Sequence, residues 1–573
     1  MKRARWIWIS VILGVFVAVG WLIWAGPRDI DMAAYAPANS LLYMEINDPL
    51  LVIQTLMETD AWKLLDKTGA HWNIGQRSWL TKLIRVTGIG PIQSVILSRA
   101  QVSIVVTSLG TVQDETTLRV KPEAALIVET HTSETRIRSA VEEAVKELAH
   151  ATYHNPSLRR TSVNGVEFVE WRDAEGLRQI VAAIVGSVVV VGNSEAAVQQ
   201  VLDRVERRTP SLKDDVNLQR LRREFAGHDS LTFGYVPQEK SAHLLSFAVP
   251  LILSRTLSDA GFQKIVTAGA AKLFGSIAWG SRPFRNGIED RYVISLQPSL
   301  FSQLQAPFSQ VMSVNANSRR LPESAYSVTH YRFEDPALAW EGLKTSISSN
   351  VDALSAVVFS TLLKSALTSY GIHEPEKFLR SVNGEILTLR LDRDGEHTML
   401  ISGIKDREAL RGVISGSMKI QALTPGGVEF FADPEGEMGA CLLSDVVIVG
   451  TLAAVRLYSE NAVLNARLDE EQRRRITFFA APSSPSPIVT YGDDSDRVRR
   501  FLSAIMAATG TPAEEIVNLE PAIAKLPYFS TETRIVGQGL ERITRSPLGQ
   551  FSTLLPLVIP DQRRPLGSHR GRL

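Results

Sequence analysis

The chain has 573 residues, 62 basic and 61 acidic side chains, and a single cysteine, Cys441. This length exceeds one ordinary hydrophobic core, so at least two domains are expected. The near-zero net charge argues against a nucleic-acid-binding protein, because such proteins normally present a basic surface. An apolar fraction of 45% is too low for a polytopic membrane protein. One cysteine excludes an intrachain disulfide and a multi-cysteine metal site.

An apolar run follows the N-terminal residues. Three basic side chains lie within residues 1–5, and residues 6–24 carry no charge. A helix over this run is roughly 28 Å long, about the thickness of a bilayer hydrocarbon core. Tryptophans at its two ends, Trp6 and Trp24 among them, suit the membrane interfaces. A cleaved signal peptide is the alternative, but the run is long and no small-x-small cleavage pattern follows. We therefore predict a transmembrane helix at residues 6–24 after a cytoplasmic stub at residues 1–5.

The distribution of charge predicts the orientation of this helix. Basic residues precede it, whereas Arg28, Asp29 and Asp31 follow with mixed sign. The positive-inside bias then places the N-terminus in the cytoplasm and the bulk of the chain outside it. We predict a single-pass protein of the cytoplasmic (inner) membrane that contacts the membrane through Trp6 to Trp24. A second apolar run, residues 244–255, is short and contains a proline, which favours a buried or groove-lining helix.

One stretch of the chain occurs twice. The tetrapeptide Gly-Val-Glu-Phe occupies residues 165–168 and residues 427–430. Further matches follow in the same order with a falling offset: 285 for Pro37 and Pro322, 262 for Gly165 and Gly427, 256 for Tyr235 and Tyr491, 252 for Gly287 and Gly539, and 250 for Phe301 and Phe551. Chance matches would not keep this order, so an internal duplication is predicted.

The matches predict the boundaries of the two copies. We place the first repeat at residues 35–304 and the second at residues 321–558, joined by a polar linker at residues 305–320. Residues 559–573 are basic and nearly free of apolar side chains, which predicts a disordered tail. If each repeat folds alone, few contacts cross the linker, and proteolysis there should release two folded fragments.

The duplicated stretch predicts a strand, a turn, a second strand and a capped helix. Residues 166–171 alternate apolar and polar side chains, and residues 187–192 form an apolar strand. Ser194 offers an N-cap. The helix after it places four apolar residues on one face: Val198, Val201, Leu202 and Val205. Strand runs with helices on one face indicate α+β, so the predicted fold class is an N-terminal transmembrane helix followed by two tandem copies of an antiparallel-sheet-plus-helices domain.

Two further elements follow from the same kind of pattern. Residues 386–402 read as a hairpin that turns at Asp394 and Gly395. Upstream, apolar residues recur at helical spacing in a predicted amphipathic helix: Ile137, Val141, Ala144 and Leu148.

Acidic clusters are the first candidates for chemistry. Asp173 and Glu175 recur as Asp433 and Glu435, which suggests paired carboxylates or a cation site. Asp and Gly between two strands are, however, typical of a tight turn. Residues 392–397 have some likeness to a calcium loop but lack its later ligand. Residues 493–496 are better explained as the acidic start of a helix.

Other catalytic motifs are missing from the sequence. None of the ten histidines makes a His-Glu-x-x-His spacing, and there is no Gly-x-Ser-x-Gly elbow or phosphate-binding loop. Residues 87–91 contain two glycines without the third that a dinucleotide site needs. Cys441 lies in a small apolar stretch that favours a buried structural thiol. We therefore predict a protein that is not an enzyme, with no catalytic, cofactor-binding or metal-binding residue and no nucleic-acid partner.

Two short motifs accompany the layout of the chain. Residues 36–46 hold a Pro-x-x-Ser start that leads into an apolar strand, and residues 193–197 form a helix entry. With an N-terminal anchor and a long α+β region, this layout resembles bacterial envelope proteins that are grouped as a domain of unknown function. The resemblance covers most of the chain and implies no activity, cofactor or catalytic residue.

The leading hypothesis is a non-catalytic extracytoplasmic protein that binds or scaffolds envelope components, through another envelope protein or by self-association. A carrier or chaperone for an apolar ligand is the first alternative, with residues 244–257 and 356–363 lining a groove, although both runs also fit core helices. A membrane-tethered hydrolase with a noncontiguous site is the second. A large apolar cavity would favour the carrier, and convergent polar groups in a cleft would favour the enzyme.

Overall fold

The computed structural model describes residues 30–64, 100–113, 118–153, 155–225, 227, 229–244, 260–312, 325–423, 428–463, 475, 478, 486–508, 515–537 and 539–558. These residues divide into two compact units. Unit 1 comprises the described residues within Met1–Ala38, Glu45–Leu50 and Thr87–Asp214. Unit 2 comprises those within Asn39–Met44, Leu51–Val86 and Asp215–Leu573.

The described chain up to residue 312 contains strands and helices in alternating groups. Its strands are β1 (Leu42–Ile46), β2 (Gln101–Gln113), β3 (Leu118–Glu129), β4 (Ser157–Val163), β5 (Val166–Arg172), β6 (Gln179–Val185), β7 (Val188–Gly192), β8 (Thr232–Val236), β9 (Phe274–Phe284) and β10 (Gly287–Leu296). Its α-helices are α1 (Pro49–Glu58), α2 (Asp60–Lys63), α3 (Glu134–Thr152), α4 (Glu195–Val205), α5 (Val216–Phe225), α6 (Ala260–Leu273) and α7 (Pro298–Ser309).

The described chain from residue 325 onward has a similar content. Its strands are β11 (Ser327–Arg332), β12 (Val382–Arg390), β13 (Thr398–Ile404), β14 (Lys419–Leu423), β15 (Glu429–Ala432), β16 (Met438–Leu442), β17 (Val446–Thr451), β18 (Ile488–Gly492), β19 (Phe529–Val536) and β20 (Gly539–Ser546). Its α-helices are α8 (Pro336–Asn350), α9 (Ala353–Thr368), α10 (Pro375–Ser381), α11 (Arg407–Ser415), α12 (Leu452–Val463), α13 (Ser495–Ala508), α14 (Glu515–Ile523) and α15 (Phe551–Val558).

Strand pairing follows one order twice. In unit 1, the strands pair in the antiparallel order β2-β3-β7-β6-β5-β4. In unit 2, the equivalent order β12-β13-β17-β16-β15-β14 recurs. The order β18-β19-β20 in unit 2 likewise repeats β8-β9-β10. The two segments that share Gly-Val-Glu-Phe therefore have the same topology.

The core of unit 1 forms where helices cover its sheet. Ser194 caps α4, since its side chain accepts a hydrogen bond from the backbone N–H of Ala197, and α4 buries Ala197, Val198, Val201 and Leu202. Val145 and Ala149 of α3, with Tyr153 directly after the helix, pack against the β5 and β6 residues Val169, Trp171, Ile180 and Ala182. The predicted face of α3 is wrong at its C-terminal end, because Leu148 is exposed and Val145 and Ala149 are buried instead.

The core of unit 2 has apolar residues on both faces of its sheet. Neighbouring residues on one strand alternate between two clusters, as Met399 and Leu400 do on β13. The Leu400 cluster packs against Phe378 on α10 and Leu410 on α11. The Met399 cluster packs against α12 through Ala454, Val455 and Tyr458. These strands therefore lie between helices on either side, which corrects the expectation that helices cover one face only.

The predicted fold class, an N-terminal transmembrane helix followed by two tandem domains, is wrong. The described chain forms a large, mostly antiparallel sheet with helices. No helix among the described residues is both long enough and apolar enough to cross a membrane. The predicted transmembrane helix at residues 6–24 lies outside the described residues, as do the stub at residues 1–5 and the tail at residues 559–573.

The last boundary between the two compact units falls between Asp214 and Asp215. Helix α7 extends into the predicted linker as far as Ser309, and residues 313–324 lie outside the described residues. Unit 2 contains β8, β9 and β10 of the predicted first repeat together with the described strands of the second. The boundaries of the repeats remain a prediction, but the expectation that few contacts connect them is wrong, since β10 pairs with β20.

Candidate functional site

Strands β10 and β20 meet at equivalent positions of the two repeats. They pair antiparallel, and Arg291 lies directly opposite Ile543. These residues are 252 positions apart, as are Gly287 and Gly539 at the starts of the two strands. Equivalent residues therefore face each other, which gives the junction a local two-fold axis within unit 2.

Four arginines and two glutamates form a network on one face of this junction. On one side of the axis, Glu289 accepts hydrogen bonds from Nε of Arg282 at 2.6 Å and from Nε of Arg545 at 2.7 Å. On the other side, Glu541 accepts from Nε of Arg291 at 2.6 Å and from Nε of Arg534 at 2.5 Å. The Arg282–Glu289 and Arg534–Glu541 pairs are repeat equivalents, because both members are 252 positions apart.

The carboxylates of this network are buried and saturated. The side chains of Glu289 and Glu541 are only 2% and 4% exposed. Each of their oxygens accepts from a different arginine, and Arg545 also donates to Glu532 at 2.6 Å. Buried charges require such partners, because an unpaired ion in a protein interior is costly. The arrangement holds the repeats together and leaves neither glutamate available as a general acid or base.

Residues of the network line an ionic cleft of about 290 Å³, and its lining includes Arg282, Arg291 and Arg534 together with Ile543. The guanidinium of Arg291 lies over the Phe225 ring, 4.8 Å from its centroid, and donates to the carbonyl of Glu224 at 3.0 Å. Glu224 and Asp229 also line the cleft. Acidic and basic groups are therefore mixed around it, which does not favour one sign of ligand charge.

A second candidate is the outward side of α9, which we call the α9 surface: Leu354, Val357, Thr361 and Ser365. Only Ser355 is buried among the residues of α9, whereas Leu354 and Val357 are 58% and 63% exposed. The helix carries one charge, Lys364. Singly exposed apolar residues are common, but Leu354 and Val357 lie one turn apart on an almost uncharged helix and together form one exposed apolar patch, with the polar residues Thr361 and Ser365 beyond it.

The opposite side of α9 fixes the helix in place. The Asp352 side chain caps it by accepting from the backbone N–H of Ser355 at 3.0 Å, which lowers the pKa of Asp352. Ser355 Oγ donates to the carbonyl of Ile265 on α6 at 3.4 Å. A Cβ at Gly269 of α6 would lie 2.5 Å from the Phe359 ring, so the two helices are in close contact. The α9 surface is consequently presented on a rigid support.

The acidic clusters that the sequence analysis explained as tight turns between strands do form turns. Asp173 accepts hydrogen bonds from the backbone N–H groups of Leu177 and Arg178, and Asp433 accepts one from Glu437. Asp392 accepts from the backbone N–H groups of Gly395, Glu396 and His397 between β12 and β13. Their oxygens therefore stabilise the backbone, and no group of three His, Cys, Asp or Glu residues suited to a metal occurs in the described part of the chain.

The remaining candidates are dispersed. Cys441 is buried in β16, and burial raises the pKa of its thiol to about 11, as expected for a structural thiol. His150 stacks edge-on against Trp171 at the end of α3, while His154 lies outside the described residues. Residues 87–91 and most of residues 244–257 also lie outside them.

Sequence reasoning missed the arginine and glutamate network. Gly287-Ile-Glu289 and Gly539-Leu-Glu541 were recognisable as matching tripeptides. Arg282 and Arg534 share the same offset of 252, so charge conservation between the repeats was a signal that could have identified both pairs.

No family model and no curated protein matches the chain. Solved structures of a protein named TP0453 are similar to about half of it. Crystal form IV is 9% identical and covers 49% of this chain and 87% of that chain, with a TM-score of 0.25. Crystal form III is 11% identical and covers 50% and 90%, with a TM-score of 0.24. A likeness at this level says nothing about function.

Proposed function

We propose that the chain is a non-catalytic binding protein that holds another envelope protein on the α9 surface. The observation that carries this proposal is the exposure of Leu354 and Val357 on an almost uncharged helix that is anchored on its other side. Neighbouring exposed apolar side chains such as these are typical of protein contact surfaces. The envelope setting comes from the predicted N-terminal segment and stays a prediction.

The exposure of Leu354 and Val357 also weighs against the hypothesis of a carrier for an apolar ligand. Residues 356–363 of the proposed groove belong to α9, where Val357 is turned to solvent rather than into an enclosed cavity. A ligand carrier buries most of its ligand's surface in a concave site. A convex helix side offers an apolar partner helix or loop a ridge to pack against instead.

The carboxylates of the ionic cleft weigh against the hypothesis of a membrane-tethered hydrolase. The buried carboxylates of the cleft each bind two guanidinium groups, and a general base needs a free lone pair within reach of the proton that it abstracts. The prediction that the chain is not an enzyme therefore stays part of the proposal.

Site-specific photo-crosslinking tests the α9 surface. A photoreactive amino acid at position 357, in the full-length chain in its native host, should give one discrete adduct with a different protein. The matched control is position 216 on α5, where Val216 is 78% exposed in the same unit; it should give no such adduct. The double substitution L354E/V357E should abolish binding of the captured protein without changing the far-UV spectrum.

Three results would contradict the proposal: no adduct at position 357, the same adduct at position 216, or an adduct composed of two copies of this chain. Retention of binding in the L354E/V357E variant would also refute it, since the two introduced charges would have to be desolvated in any apolar contact with this patch.

A further inference from the structure

Strand β4 lies at the edge of the sheet in unit 1. It pairs with β5 from Ser157 to Val163, and β5 is its only partner strand among the described residues. Residues 157–160 are all exposed. An edge strand with an open outer side presents backbone groups that pair readily with an added chain.

The hairpin of β4 and β5 determines which backbone groups face outward. Its two-residue loop, Asn164 and Gly165, has φ values of +52° and +82°, as a type I′ turn requires. In such a hairpin Val163 and Val166 form a hydrogen-bonded pair, and hydrogen-bonded and non-hydrogen-bonded pairs then alternate along the strands. Three residues therefore point their N–H and C=O groups away from β5: Leu158, Arg160 and Ser162. No backbone hydrogen bond from another described residue reaches them.

The equivalent edge of unit 2 is built differently. Strand β14 (Lys419–Leu423) is two residues shorter than β4, and its register with β15 shifts between Ile420 and Ala422. Such a bulge interrupts the ladder and is one of the ways in which proteins protect an edge strand. The pairing of β4 with β5 has no such shift. Of the two equivalent edges, β4 is therefore the one suited to accept another strand.

The α3 side of β4 favours an apolar neighbour. Leu158 is 46% exposed and lies opposite Trp171, which packs against α3. Arg160 lies on the same side and donates at 2.7 Å to Glu142 on α3 and at 2.7 Å to Glu167 on β5. Its charge is therefore compensated, and the two carboxylates repel any further acidic group. An added strand is expected to place apolar side chains beside Leu158.

The other side of β4 favours an acidic neighbour. The Arg159 side chain is 58% exposed, and its Nη1 lies 3.9 Å from Glu170 Oε2, beyond hydrogen-bond distance. Glu170 is buried and accepts a hydrogen bond from Nε of Arg172 at 2.5 Å. Two guanidinium groups thus share one carboxylate, and no carboxylate in the described part of the chain hydrogen-bonds to Arg159. A carboxylate on an added strand supplies that missing partner.

We propose that β4 is the docking site for an extended, acidic segment of another protein, which joins the sheet as a strand with carboxylates beside Arg159 and apolar side chains beside Leu158. This inference goes beyond the proposed function, because it concerns β4 of unit 1 rather than the α9 surface of unit 2. Backbone hydrogen bonds supply the affinity of such an addition, and side chains at alternate positions supply its specificity. A second copy of β4 fits less well, because it would bring two further arginines to an edge that already carries two.

Two probe peptides test the charge preference of this edge. Each has seven residues and capped ends; valine alternates with glutamate in one peptide and with lysine in the other. Fluorescence anisotropy with the full-length protein in detergent solution, at low ionic strength, should show that the glutamate peptide binds about tenfold more tightly. R159E should reverse the preference. Hydrogen exchange should show that the glutamate peptide protects β4 and leaves β14 unchanged.

A proline substitution tests the backbone pairing. S162P removes one outward N–H, and proline is tolerated in an edge strand where the N–H does not face the partner strand. It should weaken binding of the glutamate peptide by about fivefold or more, because a hydrogen bond is lost and the ring blocks the approach of the added strand. S162A is the matched control, since it keeps the N–H, and should bind as the parent chain does. If S162P does not fold, R159E decides.

Four results would overturn this assignment: the parent chain binds neither peptide, it binds both equally, R159E keeps the parental preference, or a folded S162P binds as S162A does. Dimerisation of the parent chain that S162P abolishes would also overturn it, because the edge would then belong to a second copy.

Discussion

Glu289 and Asp290 are adjacent on β10 and equally buried, yet their surroundings differ completely. Glu289 binds two guanidinium groups, Arg282 and Arg545, on one face of the sheet. Asp290, on the other face, meets a serine hydroxyl, a backbone N–H and the field of Asp494. The comparison shows that burial alone does not decide what a carboxyl does. Glu289 joins the repeats through two ion pairs, whereas burial raises the pKa of Asp290 to about 7.

The largest expected effect comes from removing the buried ion pairs of Arg545 with Glu289 and Glu532. R545M leaves one oxygen of Glu289 and one of Glu532 without a cation in a buried site. Removing one partner of a buried ion pair costs about 3–5 kcal/mol, so the free energy of unfolding should fall by that amount. Urea unfolding at pH 7 measures it.

The control for that experiment is R220M, which removes an exposed arginine paired with Glu224 on α5. An exposed pair of this type contributes about 0.5 kcal/mol or less. Equal losses in R545M and R220M would show that the buried network does not hold the repeats together.

A smaller effect, of opposite sign, is expected for D290N. Because the pKa of folded Asp290 is raised to about 7 from about 4 in an unfolded chain, the folded state retains protons that the unfolded state releases. The unfolding free energy of the parent chain therefore falls as pH rises from about 4 to about 7. D290N lacks this loss and should be more stable than the parent by roughly 1–3 kcal/mol at pH 8, with little difference at pH 4. Lower stability of D290N at pH 8 would contradict this assignment.

The smallest effect concerns the turn between β20 and α15, in which the backbone N–H of Gln550 donates to Asp290. Gly549 and Gly436 both have positive φ, but only Gly549 would bring a Cβ against other atoms. G436A should cost about 1 kcal/mol for backbone strain alone, and G549A should cost at least about 1 kcal/mol more because Ile288 must move. Thermal unfolding of both variants measures the difference; equal costs would mean that the turn does not press on β10.

Sequence patterns predicted local elements well and long-range neighbours poorly. Ser194 as a helix cap and the turns at Asp173 and Asp433 depend on residues a few positions apart, and the structure confirms them. The partner of β10 lies 252 positions away, and alternation along a strand indicates which face is buried but not which strand lies beside it.

The same limit explains one error of detail and one feature that the sequence did not indicate. In α3, the series through Leu148 and the series through Val145 and Ala149 both have helical spacing, and contact with Trp171 decides between them. At residues 493–496, a helix start was predictable, and Asp493 does cap it. That Asp494 turns into the core depends on packing between elements that are distant in sequence.

Cleavage between the repeats tests most directly whether they form one body. A specific protease site is introduced within residues 313–324 and the chain is cut there without denaturant; size-exclusion chromatography then shows whether the pieces remain associated. The β10–β20 pairing and its buried ion pairs predict that both pieces elute together without denaturant, even in 1 M salt, because buried pairs are screened little. Separation of the cut chain into two folded fragments would contradict the account and restore two independent domains.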